Sequence, residues 1–191
     1  MRLASPAALL ASCLTFPLAA CGDMMPWHGY HAASHGMEPT LPMGTRFGSW
    51  SVRPSELARG DIVIVKTANG DYVSRIAALP GDRIAMVKSV VVLNGKPMHQ
   101  QRKGSWRYKD EGDEVTGSVL LERFPGEKSP HRILDSADSM QDQLAETVLP
   151  RNRYFLLSDN RDHAADSRYP PDMFGIGMVD GGSITHRIDL D

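Results

Sequence analysis

Short runs of Val and Ile set the first expectation. Asp61–Lys66 reads DIVIVK, Asp71–Leu79 reads DYVSRIAAL, and Asp82–Met98 reads DRIAMVKSVVVLNGKPM. β-Branched runs of this length, bounded by Gly, Pro, Asn and Asp, predict strands rather than helices. The punctuation falls at Asn69–Gly70, Pro80–Asp82 and Asn94–Gly95. Asn-Gly between apolar runs predicts a hairpin, because a type I′ turn needs positive φ at both central residues. Further strands are expected at Ser118–Phe124, His131–Asp135, Arg153–Asp159 and Ser183–Leu190. No long stretch keeps the helical period, and Ser136–Val148 is the one candidate for a short helix. A polar, charged stretch, His99–Gly117, interrupts the apolar pattern and reads as an excursion from the sheet. The expected fold is mainly β, a barrel-like or coiled sheet with that excursion.

The first residues follow a different pattern. MRLASPAALLASCLTFPLAACG opens with one basic residue and no acid, and stays mostly apolar as far as Cys21. The run is short and broken by Pro6 and Pro17, so residues 1–20 read as a cleaved export signal rather than a spanning helix. Leu18–Cys21, LAAC, resembles a bacterial lipobox. That resemblance implies diacylation of the Cys21 thiol, cleavage before it, and acylation of the new amino group. Several acyl chains anchor stably where one holds only marginally. Residues 21–33 then read as a tether and 34–191 as one β domain, in keeping with a chain of 191 residues. The only cysteines are Cys13, in the segment removed, and Cys21, so the mature chain forms no internal disulfide.

Composition narrows the function classes. At 41% hydrophobic and 23% charged, the chain is ordinary for a globular protein. A net charge of −2 argues against nucleic acid as a partner, because phosphate binding needs a concentrated basic surface. The body holds no apolar run near the roughly 20 residues that span a bilayer.

Four blocks carry the chemistry: SHGMEPTL (Ser34–Leu41), RGDIVIV (Arg59–Val65), DYVSRIAALPGDRI (Asp71–Ile84) and SDNRDHAADSR (Ser158–Arg168). In this order they resemble the bacterial type I signal peptidases, serine peptidases with a Ser/Lys dyad. The resemblance runs from about Ser34 to Arg187 and implies a signal-peptidase-like coiled β-sheet or barrel. It also implies signal peptides as substrates and no cofactor. A serine attacks the peptide carbonyl while a lysine, kept neutral by apolar surroundings, takes its proton. Backbone N–H and a second serine hydroxyl stabilise the oxyanion.

Matched residue by residue, the resemblance assigns Ser34 to the oxyanion site, Gly36 to the nucleophile position and Ser74 to the general-base position. Met37 follows the nucleophile position, and Ser167 matches the serine that orients the base. Asp159, Asn160, Arg161, Asp162, Asp166 and Arg168 form a charged supporting loop, in which carboxylate–guanidinium pairs fix the backbone. Ser158 stands where the family has glycine, which predicts a less constrained turn.

Both dyad positions are thus replaced. Glycine has no nucleophile, and a serine hydroxyl is far too weak a base for the task. Losing one such residue costs about 10⁶ in kcat in a serine protease. The expectation is a lipid-anchored, periplasm-facing pseudoenzyme of the bacterial envelope that binds extended or signal-peptide segments of exported proteins. Two alternatives stay open. One is a serine endopeptidase using Ser34 with His35 or His163; the other is a structural or assembly lipoprotein. His28, His31 and His35, spaced three and four apart, would share one face of a helix and, with Met24, Met25 and Met37, suit copper or zinc. Gly29 opposes that helix and no carboxylate completes the set, so no metal site is expected there.

Overall fold

The chain is described over residues 27–190 by a computed structural model. The export signal, Cys21 and the start of the tether lie outside the described residues. Within them the strands are β1 (Trp27–His31), β2 (Arg46–Ser51), β3 (Ile62–Thr67), β4 (Gly70–Ala78), β5 (Arg83–Val87), β6 (Val90–Leu93) and β7 (Lys96–Pro97). The remainder are β8 (Gln100–Asp110), β9 (Asp113–Glu122), β10 (His131–Asp135), β11 (Leu144–Val148), β12 (Arg153–Leu157), β13 (Val179–Asp180) and β14 (Ile184–Ile188). Three sheets result, ordered β1-β2-β14-β3-β4-β12-β13, β11-β5-β6-β7 and β10-β9-β8. The mainly β expectation holds. The large sheet does not close into a barrel, since β1 and β13 remain as edges.

The apolar run of β3 shows why this sequence makes this sheet. Val63 and Val65 pack into a cluster with Leu57, Ile76, Tyr154 and Leu156, while Ile62 and Ile64 enter another with Met37, Leu41 and Phe47. Alternate residues face opposite sides, so a strand covered on both must be apolar throughout. Each such burial stabilises the fold by about 1.5–3 kcal/mol. A further core of Ala77, Ile84, Met86, Leu93, Phe124 and Leu157 joins the second sheet to the first.

Asn94 and Gly95 have φ of 52° and 77°, the type I′ geometry expected between β6 and β7. The Asn69–Gly70 expectation needs correction. Thr67 pairs with Gly70, so Ala68 and Asn69 are the loop, and of these turn residues only Gly70 has positive φ.

Three other readings change. Part of the 21–33 stretch is strand, because β1 pairs along β2 from Trp27↔Trp50 to His31↔Arg46. Ser136–Val148 holds no α-helix; it makes one 3-10 turn, Met140–Asp142, and then β11. The Ser139 N–H donates to Asp142 Oδ2 at 2.7 Å, a local bond that competes with helix propagation, and Thr147 pairs with Ile84 of β5. The excursion at His99–Gly117 is itself regular. It supplies most of the long β8–β9 hairpin, paired from Gln100↔Glu122 to Asp110↔Asp113.

Candidate functional site

A cavity of about 730 Å³ lies where the loop after β1, the start of β4 and the loop after β12 meet. Ser34, Gly36 and Met37 line it from the first, Ser74 from the second, and Ser158 and Asp162 from the third. Four consecutive residues of β4, Asp71 to Ser74, take part. Consecutive strand residues point to opposite faces, so a cavity touching all four runs along the strand's edge. The pairing agrees. β12 meets β4 only from Arg75 to Ala78, while Gly70–Ser74 pair with β3 alone among the described residues.

Gly36 is clamped from the third segment. Asn160 donates its backbone N–H to the Gly36 carbonyl at 3.0 Å and its side-chain N–H to the His35 carbonyl at 3.1 Å. The Gly36 N–H points to Ser34 Oγ at 3.4 Å, so both groups expected at an oxyanion sit together. A Cβ built on Gly36 would meet Ser34 Oγ at 3.6 Å and the His163 carbonyl at 3.7 Å, ordinary contacts.

Ser74 is 2% exposed, and its hydroxyl lies 3.3 Å from that of Ser158. Ser167 is elsewhere: its Oγ accepts the Leu156 N–H at 2.9 Å, inside the protein. Sequence reasoning missed Ser158 as the partner of Ser74. The expectation of a looser turn at Ser158 is also corrected, since its N–H donates to Asp166 Oδ2 at 3.0 Å and its carbonyl accepts from Arg161 Nε at 3.1 Å. The glycine-to-serine departure was the available signal.

The charged loop is held by ion pairs, most reaching beyond it. Arg168 pairs with Asp166 at 2.9 Å and also donates to the Arg161 carbonyl. Arg75 grips Asp159 with two bonds of 2.8 and 2.6 Å. Arg161 reaches Glu122 of β9 at 2.6 Å, and His131 of β10 lies 2.8 Å from Glu127. Asp162 Oδ2 accepts the Ser136 N–H at 2.6 Å. Burial alone would raise the Glu122 carboxyl, but Arg161 and His131 hold it at about 2. Asp159 is lowered likewise, burial being outweighed by Arg75. Burial by itself lowers His131, yet its bonds to Glu122 and Glu127 raise it on balance.

The β8–β9 hairpin closes over the same loop. Trp106 donates its indole N–H to Glu38, which also lies 3.0 Å from His35 Nδ1. Asn160 donates to the Tyr108 hydroxyl at 3.0 Å, and the His35 and Tyr108 rings are 4.4 Å apart. His35 is therefore buried in a clasp and absent from the cavity wall. His163 does line the cavity, with Nε2 3.5 Å from Asp110 Oδ2. The alternating Trp106 and Tyr108 were the signal of a strand face within the polar stretch.

Chemically, the cavity offers a strand edge, an apolar wall from Met37, Leu41, Ile64 and Val73, and paired hydroxyls, with no lysine lining it among the described residues. No described helix is long and apolar enough to cross a membrane.

The class these features define is an open-sheet β protein with a cavity along a strand edge. The family model described as Signal peptidase, peptidase S26, matches residues 6–190, and the chain belongs to that family. Signal peptidase IB of Staphylococcus aureus (strain COL) is 25% identical over 164 residues, covering 84% of this chain and 75% of its own. Signal peptidase I of Bacillus amyloliquefaciens is 28% identical over 156 residues, 81% of this chain and 72% of its own. A solved signal peptidase I of Enterococcus faecalis V583 overlays with a TM-score of 0.36 at 18% identity, covering 68% of this chain and 93% of its own.

Proposed function

We propose that this member of the signal peptidase family is a lipid-anchored protein of the bacterial envelope that faces the periplasm and holds extended peptide segments of exported proteins without cleaving them. The observation that carries this reading is the juxtaposition of Gly36 and Ser74 on one cavity along the open edge of β4. The groups at those two positions are a hydrogen atom and a hydroxyl already paired with Ser158. Neither attacks a carbonyl nor takes a proton from a group that does. The edge itself remains useful. Gly70–Ser74 offer unpaired backbone groups, and a peptide adding there gains main-chain hydrogen bonds while its alternate side chains enter the apolar wall. Ser34 and the Gly36 N–H then serve as hydrogen-bond donors to a bound carbonyl rather than to an oxyanion.

A second reading, a peptidase built on Ser34 and His163, draws on His163 lining the same cavity beside Asp110. One experiment separates them. A fluorescent peptide spanning a signal-peptide junction is titrated against the protein by anisotropy, and the same mixture is followed by mass spectrometry. Saturable binding that weakens more than about tenfold when alternate peptide amides are methylated, with no products, supports strand addition, tenfold being about 1.4 kcal/mol. Products that vanish with Ser34→Ala support the peptidase. Absence of binding leaves a structural lipoprotein.

A further inference from the structure

Along the sheet from the cavity, three neighbouring strands bring two imidazoles together. β2 lies between β1 and β14, and the face it shares with Tyr30 carries Phe47, Ser49 and Ser51. Serine is short, so rings from the flanking strands meet above it. His186 Nε2 lies 3.2 Å from His28 Nδ1, with ring centroids 4.8 Å apart and the planes at 77°.

Both ring nitrogens of His186 have polar neighbours. The Thr185 hydroxyl lies 3.4 Å from the Ile64 carbonyl, to which it can donate. In the tautomer that carries its proton on Nδ1, His186 donates to the Thr185 hydroxyl oxygen 3.0 Å away. In that tautomer the Nε2 lone pair of His186 faces His28 and Ser51 Oγ, the latter at 3.4 Å. Metal-bound histidines are oriented in this way, the far ring nitrogen donating to a fixed acceptor.

We propose that His28 and His186 form a two-imidazole site for a divalent transition ion, Zn²⁺ or Cu²⁺. Imidazole suits both ions, and metal–nitrogen bonds of about 2.0–2.1 Å place two adjacent ligands about 2.9–3.4 Å apart. The observed 3.2 Å lies inside that span, so an ion can take the place of the imidazole–imidazole hydrogen bond once His28 carries its proton on Nε2. Among the described residues no group of three or more His, Cys, Asp or Glu side chains converges, so water completes the coordination and the ion exchanges readily. Lys66 opposes the cation here and Asp71 favours it. The ion would tie edge strand β1 to β14 across β2, bracing the strand whose Tyr30 and His31 line the cavity.

The test is calorimetric titration of the tag-free full chain, first stripped with EDTA, with ZnCl₂ and with CuCl₂. The expected result is one saturable step of one ion per chain. His28→Ala and His186→Ala should each weaken it more than about tenfold, or about 1.4 kcal/mol. His31→Ala should leave it unchanged, since His31 sits on the opposite face of β1, in register with Arg46. His28 is exposed on the edge strand, so its variant decides the matter even where loss of the buried His186 harms folding. No saturable step with either ion, or a step that survives His28→Ala, overturns the proposal.

Discussion

Writing a serine and a lysine back into the cavity tests whether the cleft keeps catalytic geometry. Gly36→Ser meets no obstacle, because the added Cβ finds its nearest neighbours at 3.6–3.9 Å and the backbone there is not in the left-handed region. Ser74→Lys is harder. The site is 2% exposed, so the new amine starts beside Ser158 Oγ and must extend past Met37 and Val73 along the cavity wall. Those apolar neighbours disfavour its charged form, which is what a general-base lysine requires. Residues acting as a unit are non-additive, and loss of one costs about 10⁶ in kcat. A misplacement of about 1 Å costs roughly 10². The double variant should therefore gain about 10⁴-fold over either single variant, while each single variant stays at the level of the parent protein. The assay is cleavage of a signal-peptide substrate by mass spectrometry, with active-site acylation by a serine-reactive probe as the second readout. A double variant that folds, binds peptide and shows no acylation would refute a retained geometry. A single Gly36→Ser variant as active as the double would refute the assignment of Ser74.

Asp159→Asn should destabilise the fold by about 3 kcal/mol or more, because it strands the buried Arg75 charge. In a domain of this size that lowers Tm by about 6–12 °C, readable by calorimetry. Acid should weaken the fold through Glu122. Its folded value of about 2 lies below the unfolded carboxylate range, so its contribution is complete above about pH 4.5 and is lost as pH falls through about 2. That contribution is about 3 kcal/mol, and Glu122→Gln should flatten the stability profile in this window. Cys21→Ala should move the protein out of the membrane fraction, and its persistence there, without lipid mass on the parent chain, would defeat the anchoring proposal.

The strands were legible where burial imposed a pattern. Ile62–Val65 of β3, Ile76–Ala78 of β4 and Tyr154–Leu157 of β12 are apolar because both faces are covered, and such unbroken apolar runs announce that directly. The second half of β9 was expected as a strand, but β8 and the start of β9 were not legible, because most of β8 is exposed and its sequence is free to be polar. Only Trp106 and Tyr108, two apart, marked its inner face. The 3-10 turn at Met140–Asp142 was hidden for a related reason, since one Ser–Asp bond outweighed a weak helical pattern. At the candidate site the Ser34–Leu41 and Ser158–Arg168 blocks pointed to loops that line the cavity. What sequence could not supply was partnership across the chain, such as Ser74 with Ser158, Arg75 with Asp159, and Arg161 with Glu122.

Those partnerships shape the cavity without help from the side chains at positions 36 and 74. Neither Gly36 nor Ser74 bears on the ion pairs that shape the walls. Asn160 holds the Gly36 loop through backbone groups that any residue at 36 would present. Arg75, next to Ser74, faces Asp159 and the Gly60 carbonyl, so the strand's position is set by a neighbour rather than by residue 74 itself. Removing one partner of such a buried pair costs about 3–5 kcal/mol, a large part of a typical domain's 5–15 kcal/mol stability. Folding alone therefore constrains Arg75, Asp159, Arg161 and Glu122. Gly36 and Ser74 take no part in those ion pairs, so the pairs place no demand on what stands at either position.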